Sequence, residues 1–504
     1  MVYVTRKIFL EARNCMRKAY LMARAKNGDN CEQLSEYQEF LIDSGGRIID
    51  LARGRFPGGV MVQEASIEEA AAKTLELIND SRIRVIFNAA FISGAAYACP
   101  DIIERDCDSG AWRIIDVKCA AYHKGGPKRP RGRTGRYFTE AAYVLMVMDM
   151  CGVKVSGIYA MFVSRRYRLY LPESKMFTVL DCTAEVRKLS KSFEQSSQSI
   201  FSALTSQRQP EAVITTVCKN CVYYKGCPVS EIKYPVFLFN SINQKKFAQM
   251  IDDGYLSIDD IPDGYFKYPA DYLYYMMRES VKSGRPFIGP HFKTALESVC
   301  WPAYYLDFES LVSVLPVYEY SLPYEHLLMQ YSLHVKKSPD CGHKDIKHFE
   351  YIVKPRLDCR RELFESLADR IGDTGSIIVY SDYEKLCIKR AAEKYPHIRE
   401  RLNSMLERIF DLCEFIRRNY YHLDFNGLYS IKKILPVLVP EMTYDGLNVK
   451  NGTDAIVKHY QLASGALSEE EGRRVKSGLL EYCAQDTYAM VRLHERLIEI
   501  GAEL

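Results

Sequence analysis

The sequence predicts an α/β protein with two sheet-centred domains, residues 1–230 and 301–504, joined by a small helical connector at 231–300. Three observations carry that expectation. Three strand-like stretches, a helix and a further strand pair succeed one another before residue 230, which suits a mixed sheet flanked by helices. A comparable order returns after residue 300. Between the two, Pro and Gly recur (IPDG, YPAD, SGRPFIGP) and interrupt any long element. A chain of 504 residues also exceeds what one hydrophobic core supports.

In the first domain, ASIEEAAAKTLELIND has helical periodicity. RVIFNAAFI, ACPDIIERD and WRIIDVKCA are short and rich in β-branched residues, as strands are. YFTEAAYVLMVMDM follows as a helix, then VSGIYAMFV and YRLYL as a strand pair. In the connector, NQKKFAQMIDDG predicts a short helix ended by Gly254. The last domain opens with strands AYYLDFESL, LLMQYSLHV and KHFEYIV. Helix RRELFESLADRI, strand SIIVYS and helix YEKLCIKRAAEKY come next. Its final helix carries EYCAQDTYAMVRLHERLIEI, with apolar residues three and four apart.

Bulk properties narrow the function classes. A formal net charge of +4 gives no global basic field, so any nucleic-acid surface must be local. The start MVYVTRKIFLEARNC has no apolar signal region, and runs such as AAYVLMVMDM are too short for a bilayer. The expectation is a cytoplasmic protein without membrane partners, whose 16 cysteines are free, buried or metal-binding. No Walker A motif is present, which excludes an ATP-driven motor of that kind.

In AYYLDFESL, Asp307 and Glu309 are two apart on a strand, so both carboxylates face the same way. Hard divalent ions such as Mg²⁺ or Mn²⁺ take oxygen ligands of this kind. On the last helix, Tyr482 and Asp486 are i and i+4 and share a face. Asp486 can complete an ion site, and the phenol of Tyr482 can orient an attacking water. YCAQDTYAMVRLH resembles the third exonuclease motif of the proofreading domains of family A DNA polymerases, DEDD enzymes of the tyrosine subtype with a ribonuclease-H-like core. The resemblance implies a second motif in VYSDYEKL, where Glu384 stands in place of the usual Asp and Asp382 is the competing candidate. It gives Asp411 in RIFDLCEF a supporting role, and YSIKKILPVLVP is similar to the segment preceding the last motif. Action from a 3′ end is implied by the same family.

The first domain has its own constellation. Asp101, then Asp116 and Lys118 in IDVK, have the layout of a PD-(D/E)xK restriction-endonuclease-like centre: two carboxylates for an ion and a lysine for the water. Cys15 and the C-x2-C-x5-C of Cys218, Cys221 and Cys227 suit zinc or an iron–sulfur cluster. The arrangement resembles RecB-type nucleases of the CRISPR-adaptation and AddB branches, which implies a [4Fe–4S] cluster on these four cysteines. Departures exist: the first-helix His of that family is absent, with Asp50 near its place, and its Q-x-x-x-Y would fall on Thr139 and Tyr143. Lys124, Lys128, Arg129, Arg131, Arg133 and Arg136 form a basic Gly/Pro-broken run placed to contact a nucleic-acid backbone. Cys341, His343 and His348 are expected in a surface loop, and Cys387, Cys413 and Cys483 as core thiols.

The expected function is therefore a metal-dependent nuclease acting on DNA in repair, recombination or defence. The alternatives are an RNA exonuclease, or a non-catalytic nucleic-acid-binding subunit beside a helicase or CRISPR-adaptation partner.

Overall fold

The computed structural model describes residues 2–25, 34–122, 133–354 and 357–504. It is a mixed α/β protein whose chain falls into two compact units, Met1–Ser230 with Ser313–Glu325, and Glu231–Val312 with His326–Leu504.

The first unit runs α1 (Arg6–Ala12), α2 (Met16–Arg24), α3 (Glu36–Arg53), β1 (Val60–Met61), α4 (Ile67–Asn79), β2 (Val85–Phe87), β3 (Phe91–Ser93), β4 (Ala96–Ala98), β5 (Ile102–Arg105), β6 (Trp112–Tyr122), α5 (Arg133–Met150), β7 (Val155–Ser164), β8 (Phe177–Asp181) and α6 (Thr183–Thr205). Six strands form a sheet in the order β1-β2-β5-β6-β7-β8. The pairs β1/β2 and β6/β7 are parallel and the others antiparallel. Strand alternation sorts β6 between two cores. Ile114 packs with Phe9, Tyr143, Phe162 and Phe193 on one side, and Ile115 and Val117 with Ile48 and Ala52 of α3 on the other. Burying each of those phenylalanines contributes on the order of 1.5–3 kcal/mol.

The stretch YRLYL does not form the expected strand. Tyr167 and Leu171 close turns onto Ser164 and Arg168, and Pro172, which has no backbone N–H to donate, follows. The strand that pairs with β7 is β8, ten residues further on, where FTVLD lies antiparallel to Tyr159–Val163.

The second unit runs α7 (Gln244–Asp252), α8 (Tyr272–Ser283), β9 (Phe287–Ile288), α9 (Phe292–Glu297), β10 (Ala303–Leu311), β11 (Leu327–Lys336), β12 (Lys347–Ile352), α10 (Arg360–Arg370), β13 (Ile377–Val379), α11 (Asp382–Lys394), α12 (Arg399–Glu407), β14 (Ile409–Asp411), α13 (Leu412–Asn419), β15 (Tyr420–Tyr421), α14 (Ile431–Leu438), α15 (Gly452–Ser464) and α16 (Glu469–Ala502). Its sheet has the order β12-β11-β10-β13-β14. The first two pairings are antiparallel and the last two parallel, so β10 is central. Residues 231–300 belong to this unit, and β9 pairs with β15.

Helix α16 starts with a capping box between Ser468 and Glu471 and is held to the sheet by polar contacts as well as apolar ones. Gln330 Nε2 donates to the Leu479 carbonyl at 3.0 Å, and the Ser332 and Thr487 hydroxyls meet at 2.7 Å. These fix the rotation of the helix over β10. No helix among the described residues is long and apolar enough to cross a membrane.

Candidate metal centre

Asp307 and Glu309 lie on one face of β10, while Phe308 between them packs on Phe364 behind the sheet. The β10/β11 register shifts immediately after Glu309, a bulge at the site beyond which Ser310 and Leu311 pair with Leu328 and Leu327. From the facing side of α16 comes Asp486. One carboxylate oxygen from each of Asp307, Glu309 and Asp486 lies within 4.8 Å of the others, the one such group among the described residues. Burial, then the charges of Asp486, Glu309 and Glu384, push Asp307 well above the usual carboxylate range. Burial and the Asp486 charge likewise lift Glu309 to about 8. Three acids in this arrangement repel one another until a cation is added.

Lys432 faces these acids. Lys432, in the first turn of α14, donates to Tyr482 Oη at 2.9 Å and to the Lys450 carbonyl at 2.7 Å. Its ammonium sits 4.5 Å from the Tyr482 ring centre and 4.8 Å from that of Tyr444. Burial lowers the Lys432 pKa, against the pull of Asp486 and Glu309. Tyr444 donates its hydroxyl to Asp486 Oδ1 at 2.5 Å. Burial raises Asp486, and hydrogen bonds from Tyr444 and Tyr482 together with the Lys432 charge oppose that rise. Cys483 is buried as expected, and its thiol reaches Asp307 Oδ2 at 3.5 Å.

Glu384 is buried in the first turn of α11 and accepts from Ser381 Oγ at 3.1 Å. It stands outside the 4.8 Å group yet close enough for its charge to raise Asp307 and Glu309. Burial brings Glu384 itself to about 7. The competing Asp382 is exposed. Asp411 caps α13, accepting from the Glu414 N–H at 2.9 Å. His348 lies on β12 rather than in a loop, its ring 4.4 Å from that of His334, because the strand begins at Lys347.

In the first unit, Asp101 precedes β5 and accepts from the Val117 N–H of β6 at 2.8 Å. Burial and the neighbouring Asp116 raise it to about 7. Lys118 Nζ reaches Asp116 Oδ2 at 2.6 Å and Glu140 Oε2 of α5 at 2.9 Å. Arg6 of α1 stands 3.5 Å from Asp116 Oδ1. Burial pushes Asp116 up, but Lys118 and Arg6 outweigh it and hold the group below its ordinary range. The residues standing where the family carries its His, Gln and Tyr do not join this group. Asp50 is exposed and paired with Arg53, the Thr139 hydroxyl turns back to the Gly135 carbonyl, and the Tyr143 hydroxyl binds the Val4 carbonyl. Glu140 takes the face of α5 that meets Lys118.

Cys15 caps α2, its sulfur accepting from the Lys18 N–H at 3.4 Å. Burial raises its pKa, as do the thiols of Cys218 and Cys221 nearby. Cys218 and Cys227 act in the same way on Tyr224 between them. No three of the four sulfurs lie within 4.8 Å of one another. Of the basic run, Arg136 is exposed and pairs with Glu140 at 3.1 Å. Lys124, Lys128, Arg129, Arg131 and the side chain of Arg133 fall outside the described residues.

Residues 304–430 match a family described as a domain of unknown function, DUF2779. The match holds Asp307, Glu309 and Glu384, whereas Lys432, Tyr444, Tyr482 and Asp486 lie beyond it. An uncharacterized protein of Ureaplasma parvum is 27% identical over 207 residues, 37% of this chain and 30% of that protein. An uncharacterized protein of Mycoplasma genitalium is 24% identical over 233 residues, 41% of this chain and 33% of that protein. A homologue of the latter in Mycoplasma pneumoniae is 26% identical over 226 residues, with the same coverage of 41% and 33%. The chain spans about a third of the length of these curated relatives.

Sequence reasoning missed Tyr444, Glu140 and Arg6. Each is brought to its centre by tertiary packing, 42, 22 and 110 positions from Asp486, Lys118 and Asp116 respectively. No periodicity marks separations of that size.

Proposed function

We propose that the second unit is a ribonuclease-H-like exonuclease of the DEDD class, hydrolysing phosphodiester bonds of DNA from a 3′ end. The observation that carries this reading is the convergence of Asp307, Glu309 and Asp486 within 4.8 Å, with burial raising all three and carboxylate repulsion raising Asp307 and Glu309 further. The donor set is all oxygen and fits Mg²⁺ or Mn²⁺. Such ions polarise the phosphoryl oxygen and activate water. The chain's own groups do the positioning. Tyr482 accepts from Lys432 and gives its own proton to Asp486, so its oxygen is held beside the acids, where it can accept from an attacking water. Glu384, on its longer side chain, is placed to assist a second ion. The sheet order, two antiparallel then two parallel pairings around β10, supports the same fold reading.

The first unit is proposed as a RecB-type PD-(D/E)xK domain carrying a [4Fe–4S] cluster on Cys15, Cys218, Cys221 and Cys227. Four thiolates from one end and the other of the unit suit a [4Fe–4S] cluster, with zinc as the alternative. One observation favours a gripping rather than a cutting role here: Asp116 is paired with both Lys118 and Arg6.

End-labelled single- and double-stranded DNA and RNA incubated with Mg²⁺ or Mn²⁺ test these assignments. Asp307→Ala is expected to abolish cleavage, a loss of at least ~10³-fold if the ion site fails. Asp116→Ala is expected to leave cleavage in place, and Lys118→Ala to weaken retention on DNA. Loss of cleavage in Asp116→Ala alone would move catalysis to the first unit. Wild type inert on every substrate would favour a non-catalytic binding subunit.

A further inference from the structure

We propose that Tyr444 is a positioning residue of the metal centre, holding Asp486 by one oxygen so that the other is presented to the ion. This rests on reading Asp307, Glu309 and Asp486 as an ion site.

Tyr444 lies in the segment between α14 and α15, outside every motif of the centre. Its hydroxyl donates to Asp486 Oδ1 at 2.5 Å, the short range of a bond to an ionised acceptor. A carboxylate on a helix can rotate about its last torsion, which is a broad two-fold well. A hydrogen bond to Oδ1 removes that freedom and leaves Oδ2 to be shared with Asp307 and Glu309. Groups that bond to metal ligands in this way commonly set metal affinity by about 10–100-fold.

The tyrosine is itself fixed. Its ring packs in an apolar cluster with Val449, Leu479 and Tyr482. Its ring centre stands 6.3 Å from that of Tyr482, and Lys432 touches both rings. Lys432 is tied in turn to the Lys450 carbonyl at the far end of the same segment. The segment therefore grips Asp486 through Tyr444 and Tyr482 through Lys432. A change in the segment moves an ion ligand and the water-orienting phenol together.

The test is a titration of the metal-free protein with Mn²⁺ alone, by calorimetry and by loss of the free-ion electron paramagnetic resonance signal. Tyr444→Phe keeps the ring and its packing and removes the hydroxyl. We expect its Mn²⁺ affinity to fall about 10–100-fold, with its melting temperature in EDTA close to wild type. Cleavage by Tyr444→Phe should recover as Mn²⁺ is raised, so the loss lies in metal dependence more than in the rate at saturation. Asp486→Asn should abolish the same binding, and adding Tyr444→Phe to it should cost nothing further. Wild-type affinity in Tyr444→Phe overturns the proposal and leaves the ion site standing. A lowered melting temperature in EDTA with unchanged affinity also overturns it, as the residue is then structural. Absence of Mn²⁺ binding by wild type overturns both.

Discussion

Glu309 shows at single-residue scale the cost of gathering buried carboxylates. Its ordinary pKa of 4.5 is lifted to about 8, first by burial and then by the Asp486 charge. Glu384 moves in the same direction, to about 7. Between the unfolded and folded values the folded state holds more protons than the unfolded chain, so stability falls as pH rises through that window. It is greatest below the ordinary carboxylate range and lowest above about 8. Thermal melts in EDTA should therefore show the melting temperature falling between about pH 5 and 8, by about 2–4 °C for each kcal/mol lost in a domain of this size. Saturating Mn²⁺ should flatten the profile, because the ion replaces the protons. A rising melting temperature in EDTA over that range would contradict the assignment of burial and repulsion to these acids.

At the scale of elements, short connections decide where the site residues land. Gly427 follows Asn426 in the turn before α14, and both have positive φ, +67° and +48°. A Cβ at Gly427 would stand 1.8 Å from the Leu238 carbonyl oxygen, so backbone rather than a flexible side chain must yield. Four residues later α14 begins and delivers Lys432. Gly427→Ala is expected to destabilise the second unit by at least about 1–3 kcal/mol and to reduce cleavage by displacing Lys432. Gly446, at φ +88° with open space around it, is the control: Gly446→Ala should cost about 1 kcal/mol of backbone strain and no clash. Urea unfolding at one pH separates the two. The strand β8 makes the same point in the first unit. The β-rich letters of YRLYL were outweighed by turns after β7, and the partner came from FTVLD.

At the scale of the whole chain, each compact unit carries its own constellation. In the first, Cys15 near one end lies close enough to Cys218 and Cys221 near the other for their thiols to raise its pKa. A group bound by all four closes a very long loop and restricts the unfolded chain accordingly. Anaerobically purified protein should be brown, and Cys221→Ser should bleach it and lower the melting temperature of that unit. Stoichiometric zinc in colourless protein would overturn the cluster. The second unit should respond instead to Mg²⁺ or Mn²⁺, through residues that the cysteine substitution leaves in place.

The sequence by itself determined the α/β class, most of the strands and helices, and the two pairs Asp307–Glu309 and Tyr482–Asp486. It could do so because periods of two and of 3.6 residues place side chains on a known face without any tertiary information. Lys432 beside Tyr482, Tyr444 on Asp486 and Glu140 on Lys118 were decided only by the tertiary structure. Such contacts join elements tens of residues apart, and their partners are chosen by helix rotation, loop conformation and burial, for which a linear sequence carries no period.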